Sequence, residues 1–329
     1  MQGLTRVTRS CCHMLASVAL ASVCSSLVGC ARPDGSSSPA DRERGVVSTP
    51  LAIGVGDPIV GRTSLADRVL LLTQSRQLVE LWPASGTVVR RAVLGLEPLE
   101  RIRGLARLDN GTIWTLVGRD ELVEISEGRA GRRLALPAPA VALYGAGARL
   151  VYQVVDFDPP APALLATEPG GADRQVWGPL RTRMFGLSRA ENMVLNLVVC
   201  GFGSRGLVPC WFAVGDEVAV VDVAGGGRIV RLEGVRTIAA DDVLTGDVSA
   251  RPLRDVFARA ADDVWVLGVD VVAASDETSA RQWQIVQFDG LGRARQVRRL
   301  EKACRVFLAM TTASAWLLAN DGSIVRVDL

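Results

Sequence analysis

Short apolar runs separated by polar turns repeat along the chain from residue 45 to residue 329. The turns are rich in Gly, Asn and Asp, and many runs alternate apolar with polar residues, as in GTIWTLVGRDELVEIS from Gly111. Alternation with a period of two is typical of half-buried β-strands, whereas an amphipathic helix repeats about every 3.6 residues. No segment in this region has a convincing helical period. The pattern therefore predicts an all-β fold for residues 46–329.

Internal repeats are the second feature of this region. Three segments align on a tryptophan at the same point of a strand, at Trp114, Trp265 and Trp316, and each then turns into a second alternating strand. A short strand precedes each segment, and another follows most of them after a glycine turn. Four antiparallel strands in roughly 40 to 50 residues match the blade of a β-propeller. Equivalent tryptophans favour packing between blades over stacking on a ligand.

Six such units can be counted. Their first strands are expected to begin near these residues: Ile59, Ile102, Val141, Phe185, Val256 and Val306. The fourth interval is long for one blade, so seven blades are an alternative, and a pair of β-sandwich domains is another. The strand pattern resembles that of the tryptophan-bearing and quinoprotein-like repeat propellers. The resemblance implies a ring of about six four-stranded blades and no particular function.

The last unit ends after its third strand at Leu329, so it lacks an outer strand. The apolar segment from Val46 to Val55 precedes the first unit and is available to supply it. Pairing of an N-terminal strand with the C-terminal blade closes a ring and removes an exposed sheet edge. We therefore expect the propeller to be closed by an N-terminal strand.

The first 29 residues have the layout of a secretory signal. Arg6 and Arg9 precede an apolar run from Met14 to Val28, which is short for a permanent membrane span. The segment Leu27–Cys30 (LVGC) resembles the bacterial lipobox, in which the cysteine receives a diacylglycerol and becomes the new N-terminus. The resemblance implies a signal peptide at 1–29 and a lipidated Cys30. An ordinary signal peptide with a chance cysteine is the alternative.

Residues 31–45 are rich in Ser, Pro, Gly and charge, which is typical of a flexible tether. The predicted domains are therefore the signal peptide, a lipidated tether at 30–45 and the propeller at 46–329. The resemblance implies a cell-envelope lipoprotein bound to the membrane through its lipid. Ala31 occupies the place where an aspartate often signals inner-membrane retention, which favours the outer membrane, on its periplasmic side or at the surface.

Composition and charge exclude some classes of function. The chain has 37 basic and 35 acidic side chains and a net charge of +2, which gives no electrostatic case for nucleic acid. Its one histidine, His13, lies in the predicted signal, so the mature chain has no imidazole for acid–base chemistry or metal binding. We therefore expect no catalytic, cofactor-binding or metal-binding residue, and the sequence favours binding over catalysis.

Three cysteines lie in the predicted folded region. Cys200 and Cys210 bracket the Gly-rich segment GFGSRGLVP, and export permits disulfides, so we expect a disulfide across the two stems of an inserted loop. Two free buried thiols are the alternative. Cys304 is expected to be a buried thiol.

The candidate ligand-facing residues lie beside two predicted loops. Trp211 and Phe212 follow the cysteine pair at the base of the predicted insertion. Asp156 and Asp158 lie in DFDPPAP, whose prolines predict a stiff loop that does not join a sheet. A further loop is expected at residues 270–281.

These features favour a lipid-anchored, exported propeller that binds or scaffolds a protein or polysaccharide partner, with no nucleic acid. The alternative is a propeller enzyme, lactonase- or lyase-like, that uses carboxylates and a divalent ion in the central channel. The enzyme hypothesis predicts several acidic side chains converging at one mouth of the channel.

Overall fold

The computed structural model describes residues 46–50, 57–64, 68–83, 85, 87–97, 100–157, 160–177, 198–201, 203–204, 206–212, 216–235, 253–272 and 282–329. Within these ranges every regular element is a β-strand. The strands form six antiparallel sheets of four strands each. The all-β fold is therefore confirmed, and the ring has six blades rather than seven.

Blades 1 to 3 each consist of four consecutive strands, which run in order from the innermost strand outwards. Blade 1 contains β2 (Ile59–Ser64), β3 (Val69–Thr73), β4 (Gln77–Trp82) and β5 (Thr87–Ala92). Blade 2 contains β6 (Ile102–Arg107), β7 (Ile113–Val117), β8 (Glu121–Ser126) and β9 (Arg129–Ala135). Blade 3 contains β10 (Ala140–Ala146), β11 (Arg149–Phe157), β12 (Pro160–Thr167) and β13 (Arg174–Trp177).

Blades 4 and 5 have the same order, and blade 6 takes one strand from the other end of the chain. Blade 4 contains β14 (Val198–Cys200), β15 (Leu207–Phe212), β16 (Glu217–Asp222) and β17 (Gly226–Arg231). Blade 5 contains β18 (Leu253–Ala260), β19 (Asp263–Val269), β20 (Trp283–Asp289) and β21 (Ala294–Leu300). Blade 6 contains β22 (Cys304–Met310), β23 (Ser314–Ala319), β24 (Ser323–Asp328) and β1 (Val46–Pro50).

The N-terminal strand closes the ring as expected. β1 pairs antiparallel with β24, from Val46 opposite Val327 to Pro50 opposite Ser323. β1 is thus the outer edge of blade 6, and an edge strand tolerates a proline such as Pro50 because one side of its backbone has no ladder partner.

Hydrophobic clusters of buried side chains lie at each junction between neighbouring blades. At the junction of blades 1 and 6, Val69 and Leu71 pack with Leu308 and Leu318. This junction joins the first complete blade to the last one. The apolar alternation of the strands therefore yields six apolar clusters arranged around the ring, because each sheet buries both of its faces against its neighbours.

The aligned tryptophans belong to this core. Trp114 and Trp265 are each 1% exposed, and they pack between blades 2 and 3 and between blades 5 and 6, respectively. Trp316 packs between blades 6 and 1. The expected role in packing between blades is confirmed.

Blade 4 corrects the expectation of an inserted loop between Cys200 and Cys210. The two cysteines stand directly opposite each other on β14 and β15, so the Gly-rich segment between them is the turn of an inner hairpin. Their disulfide is present and joins the two innermost strands of the blade. The blade start expected at Phe185 lies outside the described residues.

The proline-rich segment also departs from expectation, because its prolines do join the sheet. Pro160 pairs with Phe157 and Pro162 pairs with Val155, which lengthens the β11–β12 hairpin. Within the described residues, the next strand, β13, pairs with β12 at Leu164–Ala166. Pro160 and Pro162 therefore lie beyond that described pairing, and proline within a sheet is tolerated mainly on edge strands.

Removal of β1 tests the closure of the ring. A chain that begins at Leu51 should melt roughly 5–10 °C lower than one that begins at Val46, because it loses a whole strand pairing. It should also self-associate through the exposed edge of β24. Thermal unfolding and size-exclusion chromatography measure both effects, and equal melting temperatures for the two chains would contradict the closing role.

Candidate functional site: the inner strands of the ring

The six innermost strands surround the axis of the ring. They are β2, β6, β10, β14, β18 and β22, and their side chains include six arginines but a single carboxylate, Asp255. The arginines are Arg62, Arg103, Arg107, Arg254, Arg259 and Arg305. The axis is therefore lined by strands that are strongly basic for their length, within the part of the chain that the structure describes.

The single carboxylate is held in a network that joins three blades. Arg62 of blade 1 donates from Nη2 to Asp255 Oδ1 of blade 5 at 2.6 Å, and from Nη1 to the carbonyl oxygen of Phe307 of blade 6 at 2.7 Å. The N–H of Phe307 donates to Asp255 Oδ2 at 2.7 Å. Both carboxylate oxygens are thus occupied. We call this network of Arg62, Asp255 and Phe307 the seam clamp, because it lies where blades 5, 6 and 1 meet.

Burial makes the seam clamp dependent on both partners. The Asp255 side chain is 3% exposed and that of Arg62 is 15% exposed. A buried ion pair gains little net stability over apolar side chains of the same shape, whereas removal of one partner leaves an uncompensated charge. The clamp therefore fixes the relative positions of three blades more than it adds to the overall stability.

Blade 3 secures the inner strand of blade 4 on another side of the ring. Tyr144 donates from its hydroxyl to the carbonyl oxygen of Cys200 at 3.2 Å, and Gln153 Nε2 donates to the carbonyl oxygen of Val198 at 3.0 Å. Burial raises the pKa of Tyr144, with opposing contributions from Arg62 and Asp255. The phenol therefore stays protonated near neutral pH and remains a donor.

Glycine permits the inner strands to approach closely. A Cβ on Gly61 of blade 1 would lie 2.4 Å from the carbonyl carbon of Gly104 in blade 2, and one on Gly201 would lie 2.2 Å from the carbonyl oxygen of Val256 in blade 5. Real Cβ atoms do not approach backbone atoms at such distances, so only glycine fits at these two positions. Neighbouring inner strands therefore pack backbone against backbone.

Bulges near their first residues shape five of the inner strands. Register shifts occur within Ile59–Gly61, Arg103–Leu105, Ala140–Ala142, Leu253–Asp255 and Cys304–Val306. A bulge bends its strand and redirects the adjacent side chains, and such bulges are common beside functional sites. In blade 5 the bulge directly precedes Asp255 and so contributes to its placement.

Arginine stands second in three of these strands, at Arg103 in β6, Arg254 in β18 and Arg305 in β22. The guanidinium of Arg254 lies over the ring of Trp283, 5.8 Å from its centre, whereas Arg103 is buried in blade 2. Sequence analysis missed this arrangement because the charges balance over the whole chain. The sequence does contain a signal for this arrangement, because an Arg follows the first apolar residue in each of these three strands.

The residues expected to face a ligand are not gathered in one site. Trp211 is 3% exposed and packs between blades 4 and 5, so the structure corrects its expected exposure. Its strand is the second of its blade, and both faces of such a strand are covered. Asp156 is in β11, opposite Ala161, and Phe212 ends β15, opposite Val198. The side chains of Asp156 and Phe212, and all of Asp158, lie outside the described residues.

The other expectations for individual residues have mixed outcomes. Cys304 is a free, buried thiol, as expected, and burial raises its pKa to about 12. The thiolate is the reactive form, so this thiol is chemically inert near neutral pH.

Cys30 lies outside the described residues, and its lipidation stays a prediction. Within the described ranges, no cluster of three or more His, Cys, Asp or Glu side chains is placed to hold a metal ion, and no helix is long and apolar enough to span a membrane.

No protein-family model and no curated protein matches the chain. Solved structures do match it. A catalytically inactive virginiamycin B lyase from Staphylococcus aureus with quinupristin is 9% identical, with 86% of this chain and 99% of that chain covered and a TM-score of 0.51. A streptogramin B lyase is 13% identical, with 85% of this chain and 96% of that chain covered and a TM-score of 0.49. YCF48 from Cyanidioschyzon merolae is 11% identical, with 86% of this chain and 98% of that chain covered and a TM-score of 0.48. At such identities the likeness shows the propeller fold alone.

Substitution of Asp255 tests the seam clamp. Asp255→Ala should lower the free energy of unfolding by about 3–5 kcal/mol, because it removes the buried carboxylate that accepts from Arg62 Nη2 and from the N–H of Phe307. A double variant, Arg62→Met with Asp255→Leu, should be less destabilised than the single one. Urea unfolding measures both.

The matched control for this test is Asp328→Ala. It removes a pair with Arg326 in which the two side chains are about half exposed, and it should cost less than about 1 kcal/mol. Equal losses for Asp255→Ala and Asp328→Ala would show that the clamp carries no special constraint.

Proposed function

We propose that this protein is a lipid-anchored, exported propeller that acts as a binding or scaffolding module for a protein partner or an envelope polymer. The observation that carries the proposal is the seam clamp. The one carboxylate on the described inner strands has both oxygens bound within the protein, at 2.6 Å and 2.7 Å. It serves the assembly of the ring and is not available to a substrate.

The enzyme hypothesis requires a different set of side chains around the axis of the ring. A channel that works by paired carboxylates needs two acids at a definite separation, each with an oxygen facing the substrate. The described inner strands offer arginine and tyrosine side chains beside Asp255, and Tyr144 donates to the backbone of blade 4, as does Gln153 from the adjacent strand β11. These residues are suited to holding strands and binding groups, which favours recognition over catalysis.

Binding surfaces in this architecture are the turns on the two faces of the ring. The loop after β19 has a rigid base, because the Asp270 N–H donates to the carbonyl oxygen of Gln282 at 2.9 Å and the Gln282 N–H donates to Asp270 Oδ1 at 2.8 Å. Asp270 and Gln282 are thus held in place before a partner binds, and a contact that is already fixed loses less conformational freedom on binding.

The anchor follows from the lipobox resemblance at Leu27–Cys30. Two or three acyl chains on Cys30 would give durable attachment, because one chain alone binds only marginally. The chain joins the ring at its rim, since β1 is the outermost strand of blade 6. Attachment there would leave the turns on both faces open to a partner.

Substitution of Cys30 tests the anchor. Cys30→Ala should move the protein from the membrane fraction to the soluble fraction after cell lysis, because no acyl chain can be added. Cys24→Ala is the matched control and should stay with the membrane. Fractionation with immunodetection measures this, and membrane retention of Cys30→Ala would refute the lipoprotein assignment.

Site-specific photocrosslinking tests the scaffold. Asp109 and Asp120 are exposed and lie in turns at opposite ends of β7, so they sample the two faces. A photoreactive residue at one of them should give a discrete adduct in cells, whereas one at Arg174, on the outer strand β13, should give none. Digestion with protease or muramidase then separates a protein partner from a polymer.

Recovery of monomer alone from both Asp109 and Asp120 would contradict the scaffold. Adducts of equal yield from Arg174 would show non-specific proximity and would contradict it as well.

A further inference from the structure

Three arginines lie close together where blade 2 begins. Arg101 precedes β6, Arg103 is the second residue of β6, and Arg119 lies in the turn between β7 and β8. The N–H of Gly118 donates to the carbonyl oxygen of Arg101 at 2.7 Å, which holds the turn against the start of β6. The charges of Arg119 and Arg101 both act on Arg103. The fold thus concentrates positive charge from two separate segments.

Arg103 is the buried member of this arginine cluster. It is 8% exposed, and its Nε atom is buried without a hydrogen-bond partner. Burial, followed by the charges of Arg119 and Arg101, lowers the pKa of Arg103. Within the described residues, the charges that lower its pKa are both of its own sign.

The carboxylates closest in sequence are engaged elsewhere or exposed. Glu100 and Glu121 both accept from Arg133 Nη1, at 3.0 Å and 2.6 Å. Asp120 is exposed, and its Oδ1 faces Gly118. Within the described part of the chain, none of the three forms an ion pair with Arg103.

A buried guanidinium without a counter-charge is unfavourable, and arginine is rarely buried unless it is paired. A ligand that supplies the counter-charge would remove this cost. Guanidinium groups present forked N–H donors that match the oxygens of phosphate and carboxylate. Three positive charges favour phosphate, which carries close to two negative charges near neutral pH, over a carboxylate with one.

We propose that Arg101, Arg103 and Arg119 form a phosphate-binding site at the start of blade 2. The site binds a phosphate group, either as the free ion or as an ester. This inference goes beyond the proposed function and depends on neither the lipid anchor nor the partner.

Titration of the purified full chain with inorganic phosphate tests the site. Isothermal titration calorimetry at low ionic strength should detect binding, and thermal unfolding should show a rise in melting temperature with phosphate. Arg103→Met should weaken binding by roughly tenfold or more, which corresponds to the loss of charge-assisted hydrogen bonds. Arg101→Met should weaken it to a smaller extent, since Arg101 is exposed.

Arg174→Met is the matched control. Arg174 is exposed on the outer strand β13, and its substitution makes the same change in net charge. It should leave phosphate binding unchanged. Equal responses of Arg103→Met and the unmodified chain would overturn the proposal, and so would an equal rise in melting temperature with sodium chloride at the same ionic strength.

The folding of Arg103→Met provides a second readout. Loss of an unpaired buried charge should leave its melting temperature without phosphate unchanged or higher. A fall as large as that of Asp255→Ala would assign Arg103 a structural role and overturn the site.

Glycerol phosphate separates the two sources of the ligand. Binding of both inorganic phosphate and glycerol phosphate would support a site for phosphate esters, and binding of inorganic phosphate alone would support a site for the free ion. Binding of neither, or acetate binding as tightly as inorganic phosphate, would overturn the proposal.

Discussion

Closure of the ring is the constraint on which the rest of this structure depends. Each blade buries both faces against its neighbours, so one face of the first blade and one face of the last stay uncovered until those two blades meet. Three separate interactions secure that meeting. β1 completes the sheet of blade 6, apolar side chains fill the junction of blades 1 and 6, and the seam clamp ties blades 1, 5 and 6 through Arg62 and Asp255. The inner strands are therefore occupied first by the needs of assembly.

Features with a local period were predictable from the sequence. The aligned tryptophans Trp114 and Trp265 marked the second strands, and the shortened last unit indicated a closing strand. Features that depend on a neighbouring strand were not. The spacing of Cys200 and Cys210 fits an inserted loop as well as an inner hairpin, and only the pairing of β14 with β15 decides between them. Pro160 joins the β11–β12 hairpin beyond the described pairing of β12 with β13, which no pattern within the proline-rich segment reveals.

The same limit applies to charge. The chain is close to neutral, and its basic residues are spread along its length, yet the fold gathers arginines on the inner strands. Arg62 and Asp255 are separated by 193 positions in the chain, so no local motif links them. Trp211 is an apolar example of the same limit. It lies beside a predicted loop in the sequence, but it is a core residue in the fold because blade 5 packs on it. Long-range packing decides the environment of each of these side chains.

The pairing of β1 with β24 also governs the order of events in folding. It joins residues from the two ends of the described chain, and contacts so distant in sequence form late because the intervening loop must be closed first. The hairpins of blades 1 to 5 join neighbouring segments and can form locally, whereas β1 can pair only after β24 (Ser323–Asp328) has joined the sheet of blade 6. Until then β1 has no partner strand. The pairing of β1 with β24 is therefore the step most open to misassembly, because closure of the ring depends on two short strands that are far apart in the sequence.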